Sequence, residues 1–137
     1  LFEKELPPLL SLAKTKTDRN GQKLIWYTPT EYCHFDPVTE DLGVKGCTAA
    51  YFNMCIEPEG SVIPCQSYYS SLGNIINDDW HQIWNHPLAL DLRERRLVPE
   101  RCKGCTLLVE CGGGCPLHQV SDKSISWQDS FSIPATS

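Results

Sequence analysis

The stretch Cys102-Lys-Gly-Cys105-Thr-Leu-Leu-Val-Glu-Cys111-Gly-Gly-Gly-Cys115-Pro116 places four cysteines within fourteen residues. The other four cysteines of the chain lie upstream, at Cys33, Cys47, Cys55 and Cys65. Thiolates at this density are typical of proteins that bind a metal ion or a cluster, because sulfur ligands suit zinc and iron–sulfur centres. We therefore predict that one or two sites of four thiolates organise the fold.

The length and charge of the chain limit its class. A chain of 137 residues suits one domain. Its net charge of −5 argues against a nucleic acid or an anionic membrane as partner, since both select basic surfaces. The start of the chain has neither a basic stretch nor a long apolar run, so neither a secretory signal nor a membrane span is predicted. Because Leu1 stands in place of an initiating Met, we expect a piece of something larger.

The N-terminal segment predicts one helix and one strand. Residues Pro8–Lys16 fit a helix that tolerates proline in its first turn. The short apolar run Lys23–Thr28 follows a turn and is typical of a strand. A helix followed by a strand is half of an α/β repeat, so we expect the end of a partial TIM-like barrel here. Residues 29–46 are polar and rich in turn residues, which indicates a linker loop.

A β-hairpin is predicted directly before Cys65. Residues Tyr51–Pro58 alternate apolar and polar side chains, which indicates a half-buried strand with Phe52, Met54 and Ile56 on its apolar face. Gly60 follows proline in a tight turn and supplies the positive φ that such turns require. The chain returns as a second strand over Ser61–Pro64.

Two short helices are predicted after the hairpin. Asn77 or Asp78 is expected to cap the first, which places Trp80, Ile83 and Trp84 on one face as core anchors.

The second helix begins at Pro87 and ends in a basic cluster. We interpret Arg93, Arg95 and Arg96 as a solvated helix end, favoured by the helix dipole. The serine-rich tail beyond Lys123 is expected to be weakly ordered.

The cysteine run has the spacing of an iron–sulfur site. In Cys102-x2-Cys105 both sulfurs leave one tight turn in the same direction, as in tetrahedral thiolate sites. The ending Cys-x3-Cys-Pro also occurs in ferredoxins, where the last cysteine ligates a second cluster, so Cys115 is expected to serve another site. The three glycines before it, Gly112–Gly114, are expected to bring backbone N–H groups close to cluster sulfides.

Two other chemistries suit eight cysteines. Zinc accepts four thiolates held by the same kind of knuckle, although zinc ribbons usually contain two such knuckles and this chain has one, at Cys102-x2-Cys105. A zinc-stabilised peptide-binding module without a redox role is therefore the alternative to an iron–sulfur protein. A secreted disulfide scaffold is a weaker option, because such scaffolds usually lack the apolar core that four Trp and several leucine-rich stretches predict.

The order of motifs resembles the SPASM domain at the C-terminus of radical SAM enzymes. The motifs are Cys47, twelve residues, Gly60, four residues and Cys65, followed by Cys102-x2-Cys105-x5-Cys111-x3-Cys115. The contexts Ile56-Glu-Pro-Glu-Gly60-Ser-Val-Ile-Pro-Cys65 and Leu72-Gly73-Asn74-Ile75 match as well. The resemblance extends from Cys47 to about Leu117.

This resemblance implies two auxiliary [4Fe–4S] clusters. The first site would comprise Cys47, Cys65 and Cys115, with Cys55 or Cys33 as its fourth ligand. The second site would comprise Cys102, Cys105 and Cys111.

The second site departs from the family pattern. The family usually takes its last ligand from a later cysteine, and none follows Cys115. An open iron, His118, Asp122, Asp129 or Cys33 is expected to replace it, or the domain holds one intact cluster only.

The resemblance also implies a function and partners. The chain would bind one or two auxiliary [4Fe–4S] clusters and support electron transfer or substrate engagement in a cytoplasmic enzyme that modifies a peptide or protein. Its first partner would be its own N-terminal radical SAM barrel, which binds S-adenosylmethionine through a Cys-x3-Cys-x2-Cys loop. That loop is absent here, so this chain alone should not cleave S-adenosylmethionine. Zinc is a possible substitute metal.

The predicted fold class is α+β. A small irregular cluster-binding domain with a two-stranded β-hairpin and short helices follows the helix and strand of the barrel. The expected divisions are barrel end 1–28, linker 29–46, cluster domain 47–121 and tail 122–137.

Overall fold

The computed structural model describes residues 2–121, with side chains over 4–118. Short helices and a small antiparallel sheet confirm the α+β class. The chain forms two compact units. The first contains the chain up to Cys47 together with Val98–Cys115, and the second contains Thr48–Leu97 and continues from Pro116. The predicted divisions at 28, 46 and 121 stay a prediction.

The first helix is longer than predicted. Helix α1 covers Phe2–Arg19 and therefore begins six residues before Pro8. Pro7 and Pro8 thus lie inside the helix, where each lacks the N–H that would bond to a carbonyl one turn earlier. After the helix, the amide of Gln22 donates to the carbonyl of Thr17 at 2.9 Å and closes the last turn.

The predicted strand Lys23–Thr28 does not form. Residues 22–27 have no regular secondary structure, and the sheet of the described chain lies in the second unit. Because a strand requires a hydrogen-bonded neighbour, an apolar run alone does not produce one. The barrel end predicted from this pair of elements is therefore not seen.

The hairpin is confirmed, and the sheet has one strand more than predicted. Strands β1 (Cys55–Ile56), β2 (Ser61–Ile63) and β3 (Gly73–Asn74) form an antiparallel sheet in the order β1, β2, β3. Cys55 pairs with Ile63, and Val62 pairs with Gly73. The third strand was missed because two residues are too short to show an alternating pattern.

The predicted strand over Tyr51–Pro58 is mostly a turn. The carbonyl of Thr48 accepts the amides of Tyr51 and Phe52, each at 3.1 Å, so only Cys55–Ile56 pairs as a strand. Of the predicted apolar face, Met54 packs against the core, whereas Phe52 is 77% and Ile56 is 60% exposed. Gly60 does form the expected turn, with φ +89° and an amide that donates to the carbonyl of Glu57 at 2.8 Å.

The core of the second unit forms between the sheet and two short helices. Helices α2 (Trp80–Trp84) and α3 (Pro87–Arg93) follow the sheet. The buried core residues are Ala50, Val62, Leu72, Ile83 and Ala89.

The start and the exposed face of α2 differ from the prediction. Asp79 caps α2 by accepting the amide of His81 at 2.8 Å, whereas Asp78 accepts the amide of Asn74 in the preceding turn. Ile83 is fully buried, but Trp80 is 49% exposed and is not a core anchor. A short helix buries only a narrow stripe of side chains, so Ile83 alone is enough to pack α2 against the core.

Arg93 is not the solvated residue that was predicted. Its guanidinium donates to the carbonyls of Ala50, at 3.0 Å, and Trp84, and its carbon lies 4.2 Å from the centre of the Trp84 ring. These bonds connect α3 to the turn at Ala50, whose φ of +56° is unusual for a residue with a side chain.

The remaining elements carry the cysteine run. A 3-10 helix covers Glu100–Cys102, α4 covers Leu108–Cys111 and α5 covers Pro116–Ser121. No helix within residues 2–121 is long and apolar enough to span a membrane.

Candidate cluster site

Three cysteines of the predicted second site lie at turn and helix ends of the first unit. Cys102 ends the 3-10 helix, and its carbonyl accepts the amide of Cys105 at 3.1 Å, which closes the predicted knuckle. Cys111 is the last residue of α4. The thiols of Cys102 and Cys111 are buried, whereas Cys105 is exposed. The knuckle therefore presents one buried and one exposed sulfur.

The backbone of residues 30–32 holds the sulfur of Cys111. The amide of Tyr32 donates to Cys111 Sγ at 3.3 Å, and that thiol donates to the carbonyl of Thr30 at 3.5 Å. Hydrogen bonds from backbone N–H groups to ligand sulfurs tune the reduction potential of iron–sulfur clusters. The hydroxyl of Tyr32 accepts the amide of Lys45 at 3.0 Å, which positions the ring.

An ion pair connects the same segment to the 3-10 helix. Nη2 of Arg101 donates to both carboxylate oxygens of Glu31, at 2.8 and 2.7 Å. His34 Nε2 lies 3.1 Å from one of those oxygens. The hydrogen bond to Glu31 raises the pKa of Arg101, so this guanidinium is a permanent positive charge beside the cysteines.

Two of the three glycines before Cys115 use their amides within the backbone. The amide of Gly112 donates to the carbonyl of Leu108 at 2.9 Å, and the amide of Gly114 donates to the carbonyl of Cys111 at 3.4 Å. These two N–H groups cap α4, and the predicted role of Gly113 stays a prediction. A side chain at Gly114 would place its Cβ 2.8 Å from Cγ of Glu31, so this glycine permits close packing against the segment that holds Cys111.

Burial and neighbouring charges raise the pKa of Cys102. Burial is the largest cause that raises the pKa of Cys102, followed by the charge of Glu31. Negative charge on Cys111 and Cys33 raises it further, and Arg101 opposes them. This environment favours the protonated thiol of Cys102. A metal ion that binds this sulfur must displace the thiol proton, so metal uptake releases a proton.

The other predicted ligands belong to both units. Cys47 and Cys115 lie in the first unit, and Cys55 and Cys65 lie in the second. Cys55 is part of β1, and Cys65 follows β2 in a bridge with Tyr68. Their assignment to one cluster stays a prediction. None of the eight cysteines, all within the described residues, forms a disulfide.

The non-cysteine candidates for the open ligand position stay a prediction. His118 is exposed and lies on α5, in the second unit. Asp122 and Asp129 lie outside the described residues.

The spacing of the sulfurs bears on the zinc alternative. The side chains of Glu31, Cys33 and His34 have ligand atoms within 4.8 Å of one another, and among residues 2–121 no trio of cysteines forms such a group. A zinc ion with Zn–S distances of about 2.3 Å holds its four sulfurs about 3.8 Å apart. A cluster binds each thiolate to a different iron, so its ligand sulfurs lie farther apart than those of a zinc ion. The choice between zinc and a cluster at these thiols stays a prediction.

Two residues of this site were missed from the sequence. Tyr32 contributes its backbone amide, which no side-chain pattern reveals. Glu31 acts through a partner seventy residues away, Arg101. A charged residue two positions before Cys33 was the only available signal.

Comparison with known proteins agrees with the cluster interpretation. Residues 47–106 match the family model of SPASM, an iron–sulfur cluster-binding domain. The matched part is under half of the chain and contains five cysteines, namely Cys47, Cys55, Cys65, Cys102 and Cys105. No curated protein and no solved structure matches the chain. The predicted resemblance is confirmed over residues 47–106, and this part is similar to an iron–sulfur cluster-binding domain.

Proposed function

We propose that this chain carries auxiliary [4Fe–4S] clusters for a radical SAM enzyme that modifies a peptide or protein. The match over residues 47–106 to an iron–sulfur cluster-binding domain is the main support. The buried thiols of Cys102 and Cys111, with a backbone N–H aimed at one of them, supply the local chemistry. The proposed ligands are Cys102, Cys105 and Cys111 for one cluster and Cys47, Cys65, Cys115 and Cys55 for the other.

The residues around the second thiol set suit a redox centre. A bound cluster accepts and donates one electron at a potential set by burial, net charge and hydrogen bonds to sulfur. Burial of Cys102 and Cys111 keeps water from two ligand sulfurs. The Tyr32 amide and the Arg101 guanidinium place positive charge near those thiolates. Both contributions stabilise the more negative, reduced state and raise the potential.

The proposed partners follow from the family resemblance. The chain would work beside its own N-terminal radical SAM barrel, which binds S-adenosylmethionine, and a peptide or protein would be the substrate. Its clusters would carry an electron to or from the barrel, or an open iron would bind the substrate. The acidic net charge supports neither a nucleic acid nor a membrane as partner. Eight cysteines, none of which forms a disulfide in the described residues, support the cytoplasm, where thiols stay reduced.

Electron paramagnetic resonance distinguishes this function from a zinc-stabilised peptide-binding module. Protein purified without oxygen and reduced with dithionite should give the low-temperature spectrum of a one-electron-reduced cluster. A zinc module is silent under the same conditions, and a chelator unfolds it because its metal binding is folding free energy. A folded, zinc-loaded and silent sample would refute the proposal.

A further inference from the structure

The second thiol set lacks a fourth ligand in the cysteine run itself. Cys102, Cys105 and Cys111 supply three sulfurs, and no cysteine follows Cys115. We propose that Cys33, far upstream, is the fourth thiolate of this site. The proposal rests on the cluster binding proposed above and names one further ligand.

The segment that carries Cys33 is fastened to the cysteine run by three contacts. The Tyr32 amide donates to Cys111 Sγ, and Nη2 of Arg101 binds both oxygens of Glu31. The backbone of Glu31 also packs against Gly114, whose added Cβ would lie 3.2 Å from the Glu31 nitrogen. These contacts are made by residues 31 and 32, directly before Cys33 in the sequence. Together they place Cys33 beside the second site.

A tight turn fixes the backbone at Cys33. The carbonyl of Glu31 accepts the amides of His34, at 2.9 Å, and Phe35, at 3.0 Å. Phe35 is buried and contacts Trp26, with ring centres 4.9 Å apart. The turn is therefore anchored on both sides of Cys33, and a cysteine in it has a defined position.

The sulfur of Cys33 lies at the same ion pair. The thiol of Cys33 contacts Oε2 of Glu31 at 4.0 Å, and that oxygen accepts from Nη2 of Arg101 at 2.7 Å. Arg101 directly precedes the buried Cys102, so Cys33 and Cys102 lie on either side of one ion pair. Cys33 is exposed, so its sulfur lies outside the core.

A separate metal ion on Glu31, Cys33 and His34 is the competing interpretation. Their ligand atoms lie within 4.8 Å of one another. Both oxygens of Glu31 already accept from Arg101, however, and His34 contacts one of them. A cation there would have to displace the guanidinium of Arg101 from Glu31.

Substitution of Cys33 tests the proposal on the full chain, purified without oxygen. Removal of one thiolate leaves one iron of the cluster without a protein sulfur. Ferricyanide then takes one electron from Cys33→Ala protein, about one Fe²⁺ per chain is released, and a three-iron cluster remains with its own resonance signal. His34→Ala is the control and should behave as the unsubstituted protein does, with no three-iron signal.

Three results would overturn the assignment. The first is a Cys33→Ala protein that is indistinguishable from the unsubstituted chain, and the second is the loss of a separate single ion from both variants while the clusters stay intact. The third result concerns which cluster is affected, so Cys33→Ala is combined with Cys65→Ala, which by itself should convert the first site to a three-iron cluster. The double variant should give two three-iron clusters per chain by spin quantitation, and one three-iron cluster per chain would move Cys33 to the first site. If the unsubstituted chain binds no iron at all, the proposed function fails instead, so the two failures are distinguishable.

Discussion

Nη2 of Arg101 donates to both carboxylate oxygens of Glu31, which connects the segment before Cys33 to the helix that ends at Cys102. Glu31 is 16% exposed at its side chain, whereas Arg101 is 60% exposed. The pair therefore lies at the edge of the thiol set, where it orients two ligand-bearing segments without occupying a ligand position.

Loss of this ion pair should weaken iron retention. Arg101→Gln removes the guanidinium that holds Glu31, and loss of a contact just outside the ligands typically costs about 10-fold or more in metal affinity. The measurement is the rate at which a ferrous chelator removes iron from the anaerobic protein. Arg96→Gln is the control, because Arg96 pairs with Asp91 in the second unit, at 3.1 Å. Equal rates for the two variants would contradict the positioning role.

Close packing at Gly114 should be needed for stability. Gly114→Ala adds a Cβ 2.8 Å from Glu31 Cγ, in a backbone with φ +79°. Strain and overpacking together should cost about 2–4 kcal/mol in free energy of unfolding. Gly104→Ala is the matched control, since Gly104 has the same φ and open space around it, so it should lose only about 1–2 kcal/mol. Denaturation by urea under anaerobic conditions measures the difference, and equal losses would contradict the packing argument.

The core of the second unit depends on Ile83. The side chain is fully buried, so Ile83→Ala should lower the free energy of unfolding by about 2–5 kcal/mol. Ile76 is 74% exposed, and Ile76→Ala should change it by about 0.5 kcal/mol or less. A thermal or urea transition followed by tryptophan fluorescence compares the two. Similar values would show that the core is elsewhere.

Arg93 should not tolerate replacement by lysine. Its guanidinium binds the carbonyls of Ala50 and Trp84 at once and lies over the Trp84 ring, a geometry that an ammonium group cannot reproduce. Arg93→Lys should cost about 1–3 kcal/mol. Arg96→Lys, at an exposed ion pair, should be nearly neutral. An equal effect of both substitutions on urea unfolding would count against the role assigned to Arg93.

Local patterns predicted some of this fold well. The turn at Gly60, the hairpin around it and the helix from Pro87 follow from proline, glycine and apolar spacing over a few residues. The knuckle of Cys102 and Cys105 is likewise a local turn. Such elements could be predicted because the forces that determine them act between near neighbours.

Other features depend on residues far apart in the chain. The run Lys23–Thr28 has strand composition but no neighbouring strand, and burial of Trp80 depends on how much of α2 the core covers. The pair of Glu31 and Arg101 joins residues seventy positions apart. The proposed role of Cys33 at the second site is a question of the same kind, because it rests on contacts that spacing alone does not reveal.

Metal and sulfide analysis of the anaerobic protein tests the central claim most directly. The account predicts about eight irons and eight acid-labile sulfides per chain if both sites are filled, or about four of each if one is filled, with little zinc. Stoichiometric zinc with no iron, and no iron uptake on reconstitution without oxygen, would contradict it.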